Sequence, residues 1–233
     1  MLACVKPSTK PSSAEAAKPV ESQAASLREW DQVYEQMSPG RFVGSLHEMC
    51  FGGVQLFRES TSQAVHEAGA PWKGLRAIGV PVSVEGAARF RGEPVDAHAV
   101  LTVGGNDELD LYTPRGFEIL GLAVDEVALA THTRQVEHRD VGEALAAGGV
   151  LRPGRHRADE LRRLLASMLQ SLEVNPAALQ HRQTQRVLEQ TMLAAIVAVA
   201  DEPGVATSRP PAGAASRQQV VDAAKATMRS RIA

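Results

Sequence analysis

The sequence has little of several features that identify common protein classes. It contains only two cysteines in 233 residues, Cys4 and Cys50, which excludes a disulfide framework and a zinc site built from four cysteines. No run approaches the roughly 18 apolar residues that cross a bilayer, and 25 basic residues nearly balance 27 acidic ones. We therefore expect a globular protein of the cytoplasm, without a membrane partner and without a surface that coats nucleic acid along its whole length.

The motifs of nucleotide-dependent and covalent catalysis are missing as well. No glycine loop lies between a strand and a helix, where it would bind a phosphate or a dinucleotide. No Gly-x-Ser-x-Gly elbow is present to expose a nucleophilic serine. The sequence thus predicts no enzymatic activity from these two sources.

The N-terminal region changes character near residue 26. Residues 1–25 consist mostly of Ala, Ser, Pro and Lys and are predicted to form a disordered tail, because they cannot bury enough apolar surface to offset the entropy of ordering. Ser26 and Glu29 have the spacing of a capping box, which predicts a short helix through Trp30 and Tyr34 that ends at Pro39-Gly40.

The following hundred residues have the pattern of an all-β domain. Short apolar segments occupy 42–46, 49–57, 75–84, 98–103, 109–112 and 117–127. Turn residues separate them at Gly40, Gly52-Gly53, 68–71, 92–94, 104–107 and 114–116. This regular spacing predicts a β-barrel or jelly roll rather than βαβ units.

A barrel of this size could be a metal-dependent cupin enzyme, whose iron or manganese is usually held by a His-x-His pair, a nearby Glu and a distant His. No two of the seven histidines have the His-x-His spacing; they are His47, His66, His98, His132, His138, His156 and His181. We therefore predict no metal and no cofactor. The barrel interior remains as a ligand site, and polar residues of strand-like runs are its candidates: Glu48, Arg58, His98 and Glu118.

The chain then becomes helical. Short helices or turns are predicted at 125–129 and 141–147, and longer helices at 157–173 and 176–201, where Asn175 and Pro176 mark the start of the second. One face of the first long helix is almost purely leucine, and it holds Leu161, Leu164, Leu165, Met168, Leu169 and Leu172. That face could pack on the chain's own barrel or pair with a second subunit. Our prediction for a dimer interface is Leu161, Leu165, Met168, Leu169 and Leu172.

Proline and glycine at 202–215 indicate a linker. Beyond it, residues 216–233 have an amphipathic helical pattern with basic residues outside. A single helix after a linker cannot form a domain, so this segment is interpreted as the first element of an incomplete helical domain.

The order of parts and several local motifs resemble the AraC/XylS family of transcription regulators. Trp30-Asp31-Gln32, Tyr34, Gln36 and the stretch Ser38-Pro39-Gly40-Arg41-Phe42, with Gly44 and Leu46, are similar to the start of the sensor half in members of the ethanolamine-operon type. Thr113-Pro114, Phe117 and Ile119-Leu120-Gly121 are similar to a later segment of that half, and Arg217, Val220, Val221 and Ala224 to the first helix of the DNA-binding half.

The resemblance implies an α+β fold. It consists of a cupin-like barrel that senses an effector (26–150), an antiparallel helix hairpin for dimerisation (151–201), a linker (202–215) and the first helix of a truncated helix-turn-helix domain (216–233). It also implies a homodimer that binds a small-molecule effector, and promoter DNA through the full-length parent protein, since the two helix-turn-helix units of the family do not follow. The hypothesis is the sensor portion of a transcription regulator. A metal-dependent cupin enzyme and a free dimerisation or decoy protein without DNA binding remain the alternatives.

Overall fold

Two antiparallel sheets dominate the computed structural model, which describes residues 20–105, 107–135, 145 and 148–201. The strands are β1 (Trp30–Gln36), β2 (Gly44–Phe51), β3 (Val54–Thr61), β4 (Val65–Pro71), β5 (Leu75–Ser83), β6 (Ala88–Phe90), β7 (Glu93–Val95), β8 (Val100–Gly104), β9 (Leu109–Thr113), β10 (Phe117–Asp125) and β11 (Gly149–Leu151). The first sheet has the order β1-β4-β9-β6-β7 and the second the order β11-β8-β5-β10-β3-β2. The two sheets face each other and enclose the barrel interior.

Helices cover the outer face of the six-stranded sheet. Helix α1 (Val20–Ala24) contacts β1 and β2, α2 (Glu126–Gln135) follows β10, and the long helices are α3 (Arg155–Val174) and α4 (Arg182–Ala200). A single 3-10 helix, Pro176–Gln180, connects α3 to α4, and the two long helices contact each other. Such a short connection returns the chain beside itself, so that α3 and α4 form a hairpin.

The six-stranded sheet separates two apolar cores, because its strands bury side chains on both faces. On the outer face, residues such as Leu56, Leu120 and Leu122 pack against Leu165 and Ile196 of the helices. The inner face contributes Ala77, Leu101 and Ile119 to the barrel core, where they meet Phe90 and Leu111 of the other sheet. The molecule therefore has three layers: five-stranded sheet, six-stranded sheet and helices.

This architecture confirms the predicted fold class, a mixed α+β molecule built on an antiparallel barrel. The turn at Gly52-Gly53 joins β2 to β3, and the turns at 104–107 and 114–116 also lie between strands. The helix predicted at 125–129 is longer than expected, since α2 continues to Gln135. The predicted helix at 141–147 falls almost entirely outside the described residues, as do the linker and the basic helix at 202–233.

The helix predicted from Ser26 to Tyr34 is wrong. Residues Trp30–Gln36 form strand β1, which pairs with β4 from Trp30 opposite Pro71 to Gln36 opposite Val65. The Ser26 hydroxyl donates to the Ser22 carbonyl, so Ser26 belongs to the end of α1 and does not cap a new helix. Backbone pairing with β4 outweighs a local capping pattern. Helix α1 itself lies within the segment predicted as a tail, while residues 1–19 lie outside the described part.

The turn predicted at 68–71 is also wrong, because these residues lie inside β4. Gly69 has a φ of +148°, and a Cβ at this position would approach the carbonyl oxygen of Asp31 to 2.1 Å. The glycine therefore serves the close approach of β1 and β4 and does not reverse the chain.

The leucine face of α3 packs on the chain's own barrel. Leu161, Leu165, Leu169 and Leu172 are at most 3% exposed in the single chain, and Met168 is partly buried against the same core. The four leucines have almost no surface left for a second subunit. A dimer formed through this helix pair stays a prediction.

Candidate ligand-binding site

Strand alternation brings polar side chains from both sheets into the barrel interior. Tyr34 of β1 and Glu67 of β4 lie directly opposite each other in the strand register of the five-stranded sheet. Glu59 of β3 approaches them from the six-stranded sheet. All three side chains are at most 5% exposed. The barrel therefore encloses two carboxyl groups and one phenol where an apolar core would be the usual filling.

Tyr34 and Glu59 are joined by hydrogen bonds across the interior. The Tyr34 hydroxyl lies 3.1 Å and 3.0 Å from the two carboxylate oxygens of Glu59. The Gln23 amide, on helix α1, donates to Glu59 Oε1 at 3.0 Å and to the Ser45 carbonyl at 3.0 Å. Helix α1 is thus tied to the acidic group through one side chain.

Burial raises the pKa of both carboxyl groups, so each is a weaker acid than it would be in water. Removal from water raises the pKa of Glu59 to about 7, although the donors Gln23 and Tyr34 act in the opposite direction. Burial also raises the pKa of Glu67 well above its usual range, and repulsion from Glu59 adds to that shift. Burial and the same two carboxylates raise the pKa of the Tyr34 phenol. No basic side chain of the described residues forms an ion pair with Glu59 or Glu67.

A cavity of about 50 Å³ borders these groups. Its polar lining consists of Trp30, Gln32, Tyr34, Glu59 and Glu67. The remaining wall is apolar and includes Leu27, Phe57, Phe90, Leu101, Val103, Leu109, Leu111 and Ile119. Gly121 makes room for one wall, because a Cβ there would lie 2.0 Å from the ring of Phe57. An apolar cavity with a few convergent polar groups is the usual form of a small-molecule site.

Glu48 of β2 points toward the inner side of its sheet and lies opposite Phe57 of β3, two residues from Glu59 along that strand. The Gln55 amide donates to Glu48 at 2.7 Å, and the Trp30 indole donates to Gln55 at 3.0 Å. Arg28 lies 3.5 Å from the other Glu48 oxygen. Glu48 therefore already has an ion-pair partner and helps to hold Trp30 in place. A direct role for Glu48 in ligand binding stays a prediction.

Arg58 and Glu118 do not point into the barrel, and the expectation that they do is wrong. Both lie on the outer face of the six-stranded sheet, where they form an ion pair with each other. They line a cleft of about 500 Å³ beside α3, together with His47, which lies 3.1 Å from Glu173 of that helix. Neighbouring residues of a strand face opposite sides, so the position next to Arg58, Glu59, is the one that faces inward. Their role in binding a ligand stays a prediction.

His98 lies in the connection between β7 and β8, not in a strand as the sequence suggested. Its backbone amide donates to the Asp96 carboxylate at 2.8 Å, and its ring nitrogen lies 3.9 Å from Asp159 of α3. The residue is not part of the lining of the barrel cavity. Its predicted ligand role is untested.

Sequence reasoning missed Tyr34, Glu59 and Glu67. The capping-box pattern predicts a helix that includes Tyr34, and the pattern at 68–71, directly after Glu67, predicts a turn. Glu59 is adjacent to the candidate Arg58, in a strand whose two faces are both buried. A strand buried on both faces has no simple alternation of apolar and polar residues, so its register could not be read from the chain.

Neither a metal cluster nor a membrane helix is found in the described part of the chain. No group of three or more His, Cys, Asp or Glu side chains in these ranges is placed to hold a metal ion. No helix there is long and apolar enough to cross a bilayer.

No protein-family model matches the sequence. Among solved structures, the AraC-like transcriptional activator CuxR has a TM-score of 0.55 to this chain at 14% identity, with 72% of this chain and 61% of CuxR covered. A conserved protein of unknown function from Pseudomonas aeruginosa PAO1 covers 41% of this chain and is itself covered to 58%, at 15% identity and a TM-score of 0.29. A predicted oxalate decarboxylase from Thermotoga maritima covers 40%, is itself covered to 91%, and has 14% identity and a TM-score of 0.27. The chain shares its fold with the AraC-like activator, of which it spans about three fifths.

Proposed function

We propose that this chain is the effector-sensing and dimerisation portion of a cytoplasmic, DNA-binding transcription regulator of the AraC/XylS type. The observation that carries the proposal is the cavity inside the barrel, bordered by Tyr34, Glu59 and Glu67. Two buried carboxyl groups destabilise an empty core, so their presence is best explained by a bound small molecule. The fold shared with an AraC-like activator supports this reading.

In the proposed mechanism the barrel binds an effector, and the helix hairpin transmits the resulting structural change to a second subunit. Helices α3 and α4 pack on the outer face of the six-stranded sheet, and Glu59 lies on the inner face of the same sheet. A change of packing inside the barrel can therefore alter the sheet that supports the helices. Coupling of this kind is measured as a free energy, by which binding at one site changes the binding affinity at the other. Promoter DNA is proposed as the partner of the regulator, and no catalytic role is assigned.

The homodimer is proposed to form through the hairpin, on the side that faces away from the barrel. The predicted interface leucines pack inward, but Val174 of α3 and Val187 of α4 are 81% and 60% exposed. A Val187→Glu substitution is expected to dissociate the dimer in sedimentation velocity runs without a change in the unfolding temperature. A dimer that survives this substitution, or a wild-type chain that is monomeric at all concentrations, contradicts this assignment.

The experiment that tests the sensing role is a thermal-unfolding screen of the chain against a broad panel of metabolites. A ligand at 100 times its dissociation constant adds ~2.7 kcal/mol, which corresponds to a rise in Tm of roughly 5–10 °C for a chain of this size. The control is Ala77→Val, which places two extra carbons in the cavity wall. The proposal fails if no compound raises the Tm by more than about 1 °C, or if the control responds like the wild type.

A further inference from the structure

A cleft of about 500 Å³ lies on the outer face of the six-stranded sheet, beside the C-terminal half of α3. Arg58 and Ser60 of β3 form its floor, with Ser45 and His47 of β2 on one side and Glu118 of β10 on the other. The lining shares no residue with that of the cavity in the barrel. This outer cleft is therefore a separate cavity, and it is far larger than the one in the barrel.

The lining of the outer cleft is polar although α3 still runs beside the sheet there. Successive outward-facing residues of β3 are Leu56, Arg58 and Ser60. Leu56 belongs to the apolar core under α3, and Leu169 of α3 belongs to the same core. Apolar side chains at positions 58 and 60 would extend that core and stabilise the packing of α3. The polar side chains give up this stability, which indicates a role in binding.

Arg58 has hydrogen-bond donors to spare in the outer cleft. Its Nε donates to Glu118 Oε1, and the Arg58 guanidinium makes no other hydrogen bond or ion pair in the described part of the chain. The two terminal nitrogens form a planar fork, which binds a carboxylate through two parallel hydrogen bonds. The hydroxyl oxygens of Ser45 and Ser60 lie 2.7 Å apart, so one hydroxyl proton joins them and the other remains to be donated.

Two carboxylates face the same cleft. Glu118 accepts its hydrogen bond at Oε1, and Oε1 of Glu173 on α3 lies 3.1 Å from His47 Nδ1. The second oxygen of each carboxylate accepts no hydrogen bond from the residues that the structure describes. An ammonium group carries three donors, which is the complement of such oxygens.

The charges of the outer cleft select among small molecules. A simple anion bound to Arg58 would be repelled by Glu118 and Glu173, and a simple cation bound to these carboxylates would be repelled by Arg58. A molecule that carries one group of each sign, a few bonds apart, satisfies both sets of side chains.

We propose that the outer cleft binds a zwitterionic α-amino acid with an aliphatic side chain. Its carboxylate lies on the fork of Arg58 and accepts from the serine hydroxyl, and its ammonium group donates to Glu118. Its side chain lies against Ala166 and Leu169 of α3. The ligand then contacts both the sheet and the helix hairpin. This site goes beyond the proposed function, since it is a second ligand site outside the barrel.

The test is isothermal titration calorimetry of the chain with L-leucine as the probe. The matched comparisons are 4-methylpentanoate and 3-methylbutylammonium, each of which keeps the side chain of leucine and lacks one of its two charged groups. We expect saturable binding of leucine and binding about tenfold weaker or less for either comparison, because each makes only one of the two charged contacts. Arg58→Lys keeps the positive charge but removes the fork, and it should weaken leucine binding about tenfold.

Two control variants should leave the affinity for leucine unchanged. Arg89→Lys makes the same exchange at an exposed position of the other sheet, and Ala77→Val narrows the cavity in the barrel. Equal weakening by Arg89→Lys and Arg58→Lys would overturn the proposal, since the attraction would then not come from the outer cleft. Loss of binding in Ala77→Val, with Arg58→Lys unaffected, would place leucine in the barrel and also overturn it.

The three probes separate the remaining outcomes without any variant. Binding of 4-methylpentanoate or 3-methylbutylammonium as tight as that of leucine would overturn the zwitterion assignment. No saturable binding of leucine to the wild-type chain would overturn the proposal as a whole. Neither result changes the metabolite screen of the barrel, which uses a different cavity, so the proposed sensing function stands or fails separately.

Discussion

The two faces of the six-stranded sheet have opposite chemistry. The outer face meets α3 and α4 through a continuous apolar core that includes Leu56, Leu122 and Leu165, each fully buried. The inner face borders a cavity and carries Glu59, whose burial raises its pKa to about 7. One side therefore contributes stability, while the other gives up stability by keeping a carboxyl group out of water. The difference indicates that the sheet is a support on its helix side and a binding surface on its barrel side.

The largest effect is expected on the helix side. Leu165→Ala removes a fully buried side chain from the core between α3 and the sheet and should lower the free energy of unfolding by about 2–5 kcal/mol. Urea unfolding measures this loss, and Ser167→Ala, on an exposed position of the same helix, is the matched control. A decrease in the free energy of unfolding of less than about 1 kcal/mol would mean that Leu165 does not lie in a packed core. The same burial means that Leu165→Glu or Leu169→Glu would unfold the chain and could not report on a dimer.

A second effect distinguishes the barrel side by its pH dependence. The folded-state pKa of Glu59, about 7, exceeds the ordinary value of 4.5, so the folded chain holds a proton that the unfolded chain releases. The stability from this group is present below pH 4.5 and is lost as the pH rises through about 7, a change on the order of 3 kcal/mol. Glu67 acts in the same direction, and the raised pKa of Tyr34 keeps the phenol neutral in this window.

Glu59→Gln should therefore flatten the stability profile between pH 5 and pH 8. Chemical unfolding at several pH values measures it, and Glu85→Gln, at an exposed position, should retain the wild-type slope. Parallel profiles for wild type and Glu59→Gln would show that the Glu59 carboxyl group does not titrate in this range.

The smallest effect is expected at the ion pair on the outer face. Arg58 and Glu118 have side chains that are 49% and 22% exposed, and exposed pairs contribute about 0–1 kcal/mol. Arg58→Ala should lower the free energy of unfolding by less than ~1 kcal/mol. A double-mutant cycle with Glu118→Ala measures the pair itself. A coupling energy well above ~1 kcal/mol would contradict the expectation for an exposed pair.

The candidate site shows how far a single sequence can locate a function. Turn spacing predicted the barrel, and the barrel does contain a cavity; its use as a ligand site stays a prediction. The residues that line the cavity were not predicted, because Arg58 and Glu59 are adjacent and face opposite sides of a sheet that is buried on both. A shift of one residue in register reverses every assignment along a strand. The same error of local pattern assigned Trp30 and Tyr34 to a helix, although they face the cavity from strand β1.

The order of elements along the chain is a property that the sequence determined by itself. Turn residues at short intervals, then two long apolar periodicities with Asn175-Pro176 between them, predict a barrel followed by a helix hairpin, because local backbone preferences and hydrophobic periods act over a few residues. Only the tertiary structure decided which acids are buried together. Glu59 and Glu67 belong to different sheets, and their approach to Tyr34 depends on strand pairing between distant segments. Such long-range register is set by the packing of the whole barrel, which no local pattern encodes.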